Sequence, residues 1–233
     1  MSVELESAKR IRAVIDNINA VTGEADTTLA SAANTVTSRY GAAYDNGVQA
    51  EYDRFWDELQ QNGNRRNYWG AFASWTDEIF KPKYPIIANT SNSMFYLSTV
   101  TYIPTIDVSS AVGLINTFDY ATEVVKIEKI ILKADGSQRV QGGFNSCRAL
   151  EEVRFEGVIG ASISFKESTK LSHDSIVSII NALSTTTSGL TVTLSETAVN
   201  KAFEQLEGAN DGVDSAEWSE LIATRSNWTI SLV

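Results

Sequence analysis

The chain has 233 residues, 43% of them hydrophobic, which suffices for one or two domains with a sizeable core. Acidic residues outnumber basic ones 29 to 19, and the formal charge of −10 argues against general nucleic-acid binding and against docking on anionic lipid. A single cysteine excludes an intrachain disulfide framework, a single histidine excludes a multi-histidine metal site, and no apolar run reaches the roughly 18 to 20 residues of a membrane span.

The first residues read MSVELESAKRIRAVIDNINA. Lys9, Arg10 and Arg12 precede a short apolar run that Asp16 and Asn17 interrupt. A secretory signal needs about 7 to 15 unbroken apolar residues, so the product is expected to be made and folded in the cytoplasm. Leu5, Ala8, Ile11, Ile15 and Ile18 recur at three- and four-residue steps and predict an amphipathic helix, which Thr22-Gly23 ends. A second, smaller stripe follows at Leu29, Ala32, Ala33 and Val36, and a third at Val48, Tyr52, Phe55, Trp56 and Leu59, closed by a turn at residues 61–64. Short helices cannot bury such stripes alone. Residues 1–47 are therefore either a hairpin covering a domain or an attachment and oligomerisation segment. The sparsely charged stripe favours the second, with Ile11, Ile15, Ile18, Leu29 and Val36 as its contact residues. No heptad array supports a long coiled coil.

Residues 48–90 are rich in rings: Tyr52, Phe55, Trp56, Tyr68, Trp69, Phe72, Trp75, Phe80 and Tyr84. Such density suits either a compact cap or linker whose rings fill a small core, or a carbohydrate-stacking platform, and the cap is the expectation.

The segments Ile103–Val108, Ile127–Leu132 and Leu150–Phe155 each fit apolar-x-x-apolar-x-apolar, and they begin 24 and then 23 residues apart. That period falls within the 20 to 29 residues of leucine-rich repeats. Phe95, Phe118 and Phe144 precede them in turn-like settings and are expected to stack into a ladder. Cys147, matching Ala121, reads as a small buried hydrophobe. Outward positions on these strands are Thr105, Asp107, Lys129, Ile131, Glu152, Arg154 and Glu156, which would line the sheet face that stacked repeats offer to partners.

After Phe165 the period changes. Ser172 reads as an N-cap for a helix carrying Ile176, Ile179, Ile180 and Leu183, and Leu190–Leu194 alternates as a strand. Phe203 and Leu206 suggest a short helix, Asp211-Gly212 a turn, Ser215 the cap of a last helix, and Trp228–Leu232 a closing strand. Ser172-His173-Asp174 are consecutive at a helix start and point apart, so they form no catalytic triad. The pairs Asp57-Glu58, Asp77-Glu78 and Glu151-Glu152 lack the cross-cleft separation of a glycosidase. Neither a phosphate-binding glycine spacing nor a metal-ligand cluster is visible. The expectation is a protein that is not an enzyme and uses no cofactor.

Four stretches resemble known families. Ile15-x-x-Ile18-x-x-x-Thr22-Gly23, with Leu29 and Val36, resembles a short N-terminal motif of tail-associated proteins of bacteriophages and prophages, although Ala33-Asn34 stands where a Met-Pro is usual. The run from Glu51 to Tyr84 is similar to a segment that precedes leucine-rich repeats in phage and gut-bacterial proteins. Phe144–Leu150 resembles the irregular leucine-rich repeats of the bacterial surface-antigen (BspA-like) type. The order from Leu171 to Leu232 resembles the final unit of repeat proteins of phage tails and gut-bacterial surfaces. This resemblance spans about residues 50–233. It implies an α/β chain: a short leucine-rich-repeat solenoid with a helix-strand C-terminal cap over 91–233, preceded by an N-terminal α-helical segment. It further implies a structural virion protein of a phage tail, baseplate or fibre apparatus that contributes to host recognition. Partners would be further copies of itself, other virion proteins and a host-surface protein or glycan, with neither nucleic acid nor membrane insertion. The alternative is a bacterial cell-surface or secreted leucine-rich-repeat interaction protein.

Overall fold

A computed structural model describes residues 13, 16, 19, 66, 67, 70, 72–77, 80, 85–204 and 212–233. The chain divides into two compact units, Met1–Phe55 and Trp56–Val233. In the first, Ala13, Asp16 and Asn19 are helical. The expected contact residues Ile11, Ile15, Ile18, Leu29 and Val36 lie outside the described residues, as does the stripe from Val48 to Leu59.

The second unit is mixed α/β and rests on two parallel sheets. The larger contains β1 (Arg66–Asn67), β2 (Ile86–Thr90), β3 (Tyr102–Ile103), β4 (Ile106–Asp107), β5 (Lys126–Ile131) and β6 (Glu152–Glu156). Strands β3 and β4 both pair with β5, so they are one strand broken at Pro104, whose missing N–H cannot join the ladder. The register aligns Ile86, Ile106, Ile130 and Phe155, and, two or three residues earlier along the chain, Ile103, Ile127 and Val153. These isoleucines are fully buried, and because Ile127 and Ile130 are three residues apart, an irregularity between them interrupts the period of two of a regular strand so that both face inward. The third segment departs from the expected register. Val153 pairs with Ile127, and a bulge between Ile127 and Ile130 lets Phe155 take the place opposite Ile130. Leu150 precedes its strand as Val124 and Val100 precede theirs, and all three are buried beneath the turns.

Between strands the chain makes turns centred on Phe72, Phe95, Phe118 and Phe144. Each turn donates backbone hydrogen bonds to the next: Phe72 N–H to Met94 C=O, Phe95 to Thr117 and Phe118 to Gly143, at 2.9, 2.8 and 3.1 Å. The rings stack in the same order, with centroids 5.2 Å apart for Phe72–Phe95, 5.7 Å for Phe95–Phe118, 5.1 Å for Phe118–Phe144 and 4.5 Å for Phe144–Phe165. The expected ladder is present and gains a rung at each end. Phe80 packs edge-on against Phe72 and Phe95, so rings from the aromatic-rich segment join the same core. Three residues after the ladder phenylalanines stand Ser98, Ala121, Cys147 and Ser168, all small and buried. The Cys147 thiol donates to the Phe118 carbonyl at 3.2 Å, and burial pushes its pKa up, which keeps it an inert thiol.

The smaller sheet contains β7 (Ile163–Phe165), β8 (Leu190–Leu194) and β9 (Trp228–Leu232), all parallel. Parallel neighbours need crossovers. Helix α1 (His173–Ala182) connects β7 to β8, and α2 (Glu196–Ala202) and α3 (Ala216–Ala223) connect β8 to β9. Ser172 caps α1 by accepting from Ser175 N–H, and Ser215 caps α3 by accepting from Trp218 N–H. At the other end of α1, Arg225 donates to the carbonyls of Asn181 and Leu183 at 2.7 and 3.0 Å. Helix α1 also closes the larger sheet. Ser175 and Ser178 hydroxyls accept from Val153 and Phe155 N–H at 3.0 and 2.9 Å, which satisfies the outer edge of β6 without another strand.

Candidate functional site

Because α1 runs along β6, its first turn overhangs the outward face of β5 and β6. Two hollows result. One, of about 370 Å³, lies among Lys126, Glu128, Glu152, Arg154, His173 and Asp174. The other, of about 410 Å³, is lined by Lys129, Arg154, Glu156, Asp174, Val177 and Ser178 among others.

Four of the seven outward residues expected from the sequence meet here. Lys129 pairs with Glu156 at 3.0 Å, Glu152 pairs with Lys126 at 2.8 Å, and Arg154 contributes to both hollows. Among the described residues Arg154 makes no ion pair, so its guanidinium is available to an incoming carboxylate. The other three lie further across the sheet. Ile131 and Asp107 share a register line with Glu156, and Thr105 sits in the break between β3 and β4. Asp107 is occupied locally: its carboxylate accepts from Ser109 N–H at 2.9 Å and shapes the turn after β4.

Lys126, Glu128, His173 and Asp174 were not on the expected face. Lys126 stands one residue before the first apolar position of its repeat and is outward by the same alternation. His173 is placed only once α1 docks on β6. Its Nε2 lies 2.7 Å from Glu217 Oε1 on α3, and its Nδ1 lies 3.4 Å from Asp174 Oδ1. The ring also rests 4.8 Å from Phe203, itself 5.3 Å from Trp218. His173 thus ties α1 to the end of α2 and to α3. Ser172 Oγ instead engages Ser175, at 3.3 Å to its N–H and 2.8 Å to its hydroxyl, so no serine-to-imidazole relay is assembled.

No protein-family model matches the chain, and no curated protein or solved structure is similar to it. Lys126, Lys129 and Arg154 face Glu128, Glu152, Glu156 and Asp174 across a shallow, water-accessible surface. Such a surface can orient a charged partner by complementary pairing. Among the described residues no cluster of three or more metal-ligating side chains is found.

His173 gives the face a pH signature. Burial would lower its pKa, but the hydrogen bonds to Glu217 and Asp174 outweigh that and hold it above the ordinary imidazole value. A raised native pKa means that the stabilisation is complete below the unfolded value of about 6.5 and is lost as pH rises through the native value. These groups are substantially exposed, so screening limits the effect to less than ~1 kcal/mol. His173→Asn is therefore expected to lower thermal stability more at about pH 5.5 than at about pH 8.5, with the difference shrinking in high salt. Equal losses at both pH values would contradict the carboxylate pairing as its cause.

Proposed function

We propose that the chain is a structural virion protein of a bacteriophage tail, baseplate or fibre apparatus. In this reading the second unit is a short leucine-rich-repeat solenoid, and residues 1–47 attach it or bring copies together. The observation that carries the reading is the stack of turns on Phe72, Phe95, Phe118, Phe144 and Phe165, one ring per coil. One coil cannot bury its apolar face, so such stacks need several coils and closed ends. Helix α1 and the smaller sheet supply one closure. The Lys126–Glu156 face is left exposed on the coils, and it acts as a docking surface for a host-surface molecule or a neighbouring virion protein. The protein works by binding, not catalysis, and requires no cofactor.

Particles assembled with a chain lacking residues 1–47 are expected to lose this protein. Particles carrying Lys129→Glu together with Arg154→Glu are expected to retain it and to adsorb to host cells about tenfold more slowly, because like charges then meet where opposite ones did. Normal incorporation of the truncated chain and normal adsorption of the charge-reversed particles would together overturn the proposal.

A further inference from the structure

The turns carry a second feature, on a side of the coils different from the charged face. Two residues after Phe72, Phe95, Phe118 and Phe144 the backbone enters the left-handed region, at Ser74, Leu97, Tyr120 and Ser146, with φ of 59°, 55°, 57° and 60°. Serine is a modest choice there. Leucine and tyrosine are poor ones, since a bulky side chain at positive φ costs roughly 1 to 2 kcal/mol. Neither repays that cost by burial: Leu97 is 48% and Tyr120 50% exposed. Tyr96, 37% exposed, stands beside them, its ring 6.0 Å from that of Tyr120 and nearly perpendicular to it. Of these exposed side chains Leu97 and Tyr120 stand on left-handed backbone while Tyr96 does not, and strained positions of this kind cluster at working surfaces.

The ridge continues into a hollow. Tyr120 N–H donates to the Asn145 carbonyl at 3.0 Å, and Asn145 lines a concavity of about 220 Å³ with Gln141, Ser162, Ser164, Thr191 and Thr193. Gly142 forms its floor, and a Cβ there would strike the Asn116 amide, so Asn116 and Asn145 close over the turn side by side. No residue lining the hollow is charged, in a chain where 21% of residues are. Among the described residues the Gln141 amide and the Thr191 and Thr193 hydroxyls have no hydrogen-bond partner in the protein. Asp119, on the turn between Tyr96 and Asn145, places one carboxylate beside the Asn145 amide. Aromatic faces beside amides, hydroxyls and a single acidic acceptor match a ligand with apolar C–H faces and many neutral hydroxyls and disfavour an anionic one.

We propose that Tyr96, Tyr120, Asn116 and Asn145, with the adjoining hollow, bind a neutral oligosaccharide, the rings stacking on pyranose faces and the hollow receiving one sugar unit. This gives a ligand class to the recognition role suggested above, but it concerns a different surface and holds whether or not the chain belongs to a virion.

The test uses the purified full-length chain in native gels cast with dextran, starch, galactomannan, xyloglucan or mixed-linkage β-glucan, with hyaluronan as the acidic control. At least one neutral polysaccharide is expected to retard the protein, and hyaluronan is not. Tyr96→Ala and Tyr120→Gly should each weaken the retardation about tenfold, the value of one aromatic stacking contact. Tyr120→Gly should leave the melting temperature unchanged or higher, since it relieves the left-handed strain. The proposal is overturned if no neutral polysaccharide retards the chain, if retardation survives both substitutions, or if Tyr120→Gly lowers the melting temperature in step with binding. It is equally overturned if the two substitutions abolish self-association measured by sedimentation, because the ridge would then be a contact between copies.

Discussion

Phe118→Ala is expected to destabilise the second unit by about 3 to 5 kcal/mol, lowering its thermal midpoint by roughly 6 to 20 °C. Phe118 is completely buried, with Phe95 at 5.7 Å on one side and Phe144 at 5.1 Å on the other. Removing it deletes a whole ring from the middle of the ladder. The neighbours cannot collapse into the gap, because backbone bonds fix the spacing of the three turns: Phe95 N–H is bonded to Thr117 C=O and Phe118 N–H to Gly143 C=O. Phe118→Leu keeps most of the volume and should cost about half as much. Chemical denaturation followed by tryptophan fluorescence measures both. A loss below about 1 kcal/mol for the alanine variant would mean that the ladder does not couple the turns.

Gly113→Ala is expected to be nearly as damaging, by about 2 to 4 kcal/mol, for the opposite reason. Gly113 forms a parallel bridge with Arg139, and a Cβ at this position would fall on the Arg139 carbonyl. That carbonyl already accepts from Leu114 N–H at 2.8 Å, and the Gly113 carbonyl accepts from the buried Ser91 hydroxyl at 2.6 Å. The two bridged segments would have to separate, and both bonds would break. Nearby Val112→Ala, at an exposed site on the same turn, is the control and should be close to neutral. A Gly113→Ala protein as stable as the control would contradict the close approach of Gly113 to Arg139.

Where the chain obeys a period, its fold is legible from residue order. Val153 and Phe155 face the core because alternate positions of a strand share a face, whereas Ile103 with Ile106 and Ile127 with Ile130, three residues apart, do so across a break or a bulge; Ser172 and Ser215 cap helices because short hydroxyl side chains reach the free N–H groups of a first turn. Leu190–Leu194 and Trp228–Leu232 are strands for the first of these reasons. Legibility ends where partners are distant. Leu150 satisfies an apolar template as well as Val153 does, and only pairing with β5 shows that Val153 is opposite Ile127. Strand β2 hides beside Pro85 at the end of an aromatic-rich segment. The charged face is half legible: Lys129, Glu152, Arg154 and Glu156 follow from alternation, but His173 reaches it only because Ser175 and Ser178 bind the edge of β6, and its partner Glu217 is 44 residues away. The left-handed backbone at Leu97 and Tyr120 has no signal in residue type, since neither leucine nor tyrosine prefers it.

The reading of the chain as a virion component is tested most directly by composition of particles. A culture of the source is induced, particles are purified on a density gradient, and their proteins are quantified by mass spectrometry. The chain is expected to band with the particles in fixed proportion to the other tail proteins. Its absence from the banded particles, together with its presence on the surface of the cells, would contradict the virion assignment and identify a bacterial surface protein instead.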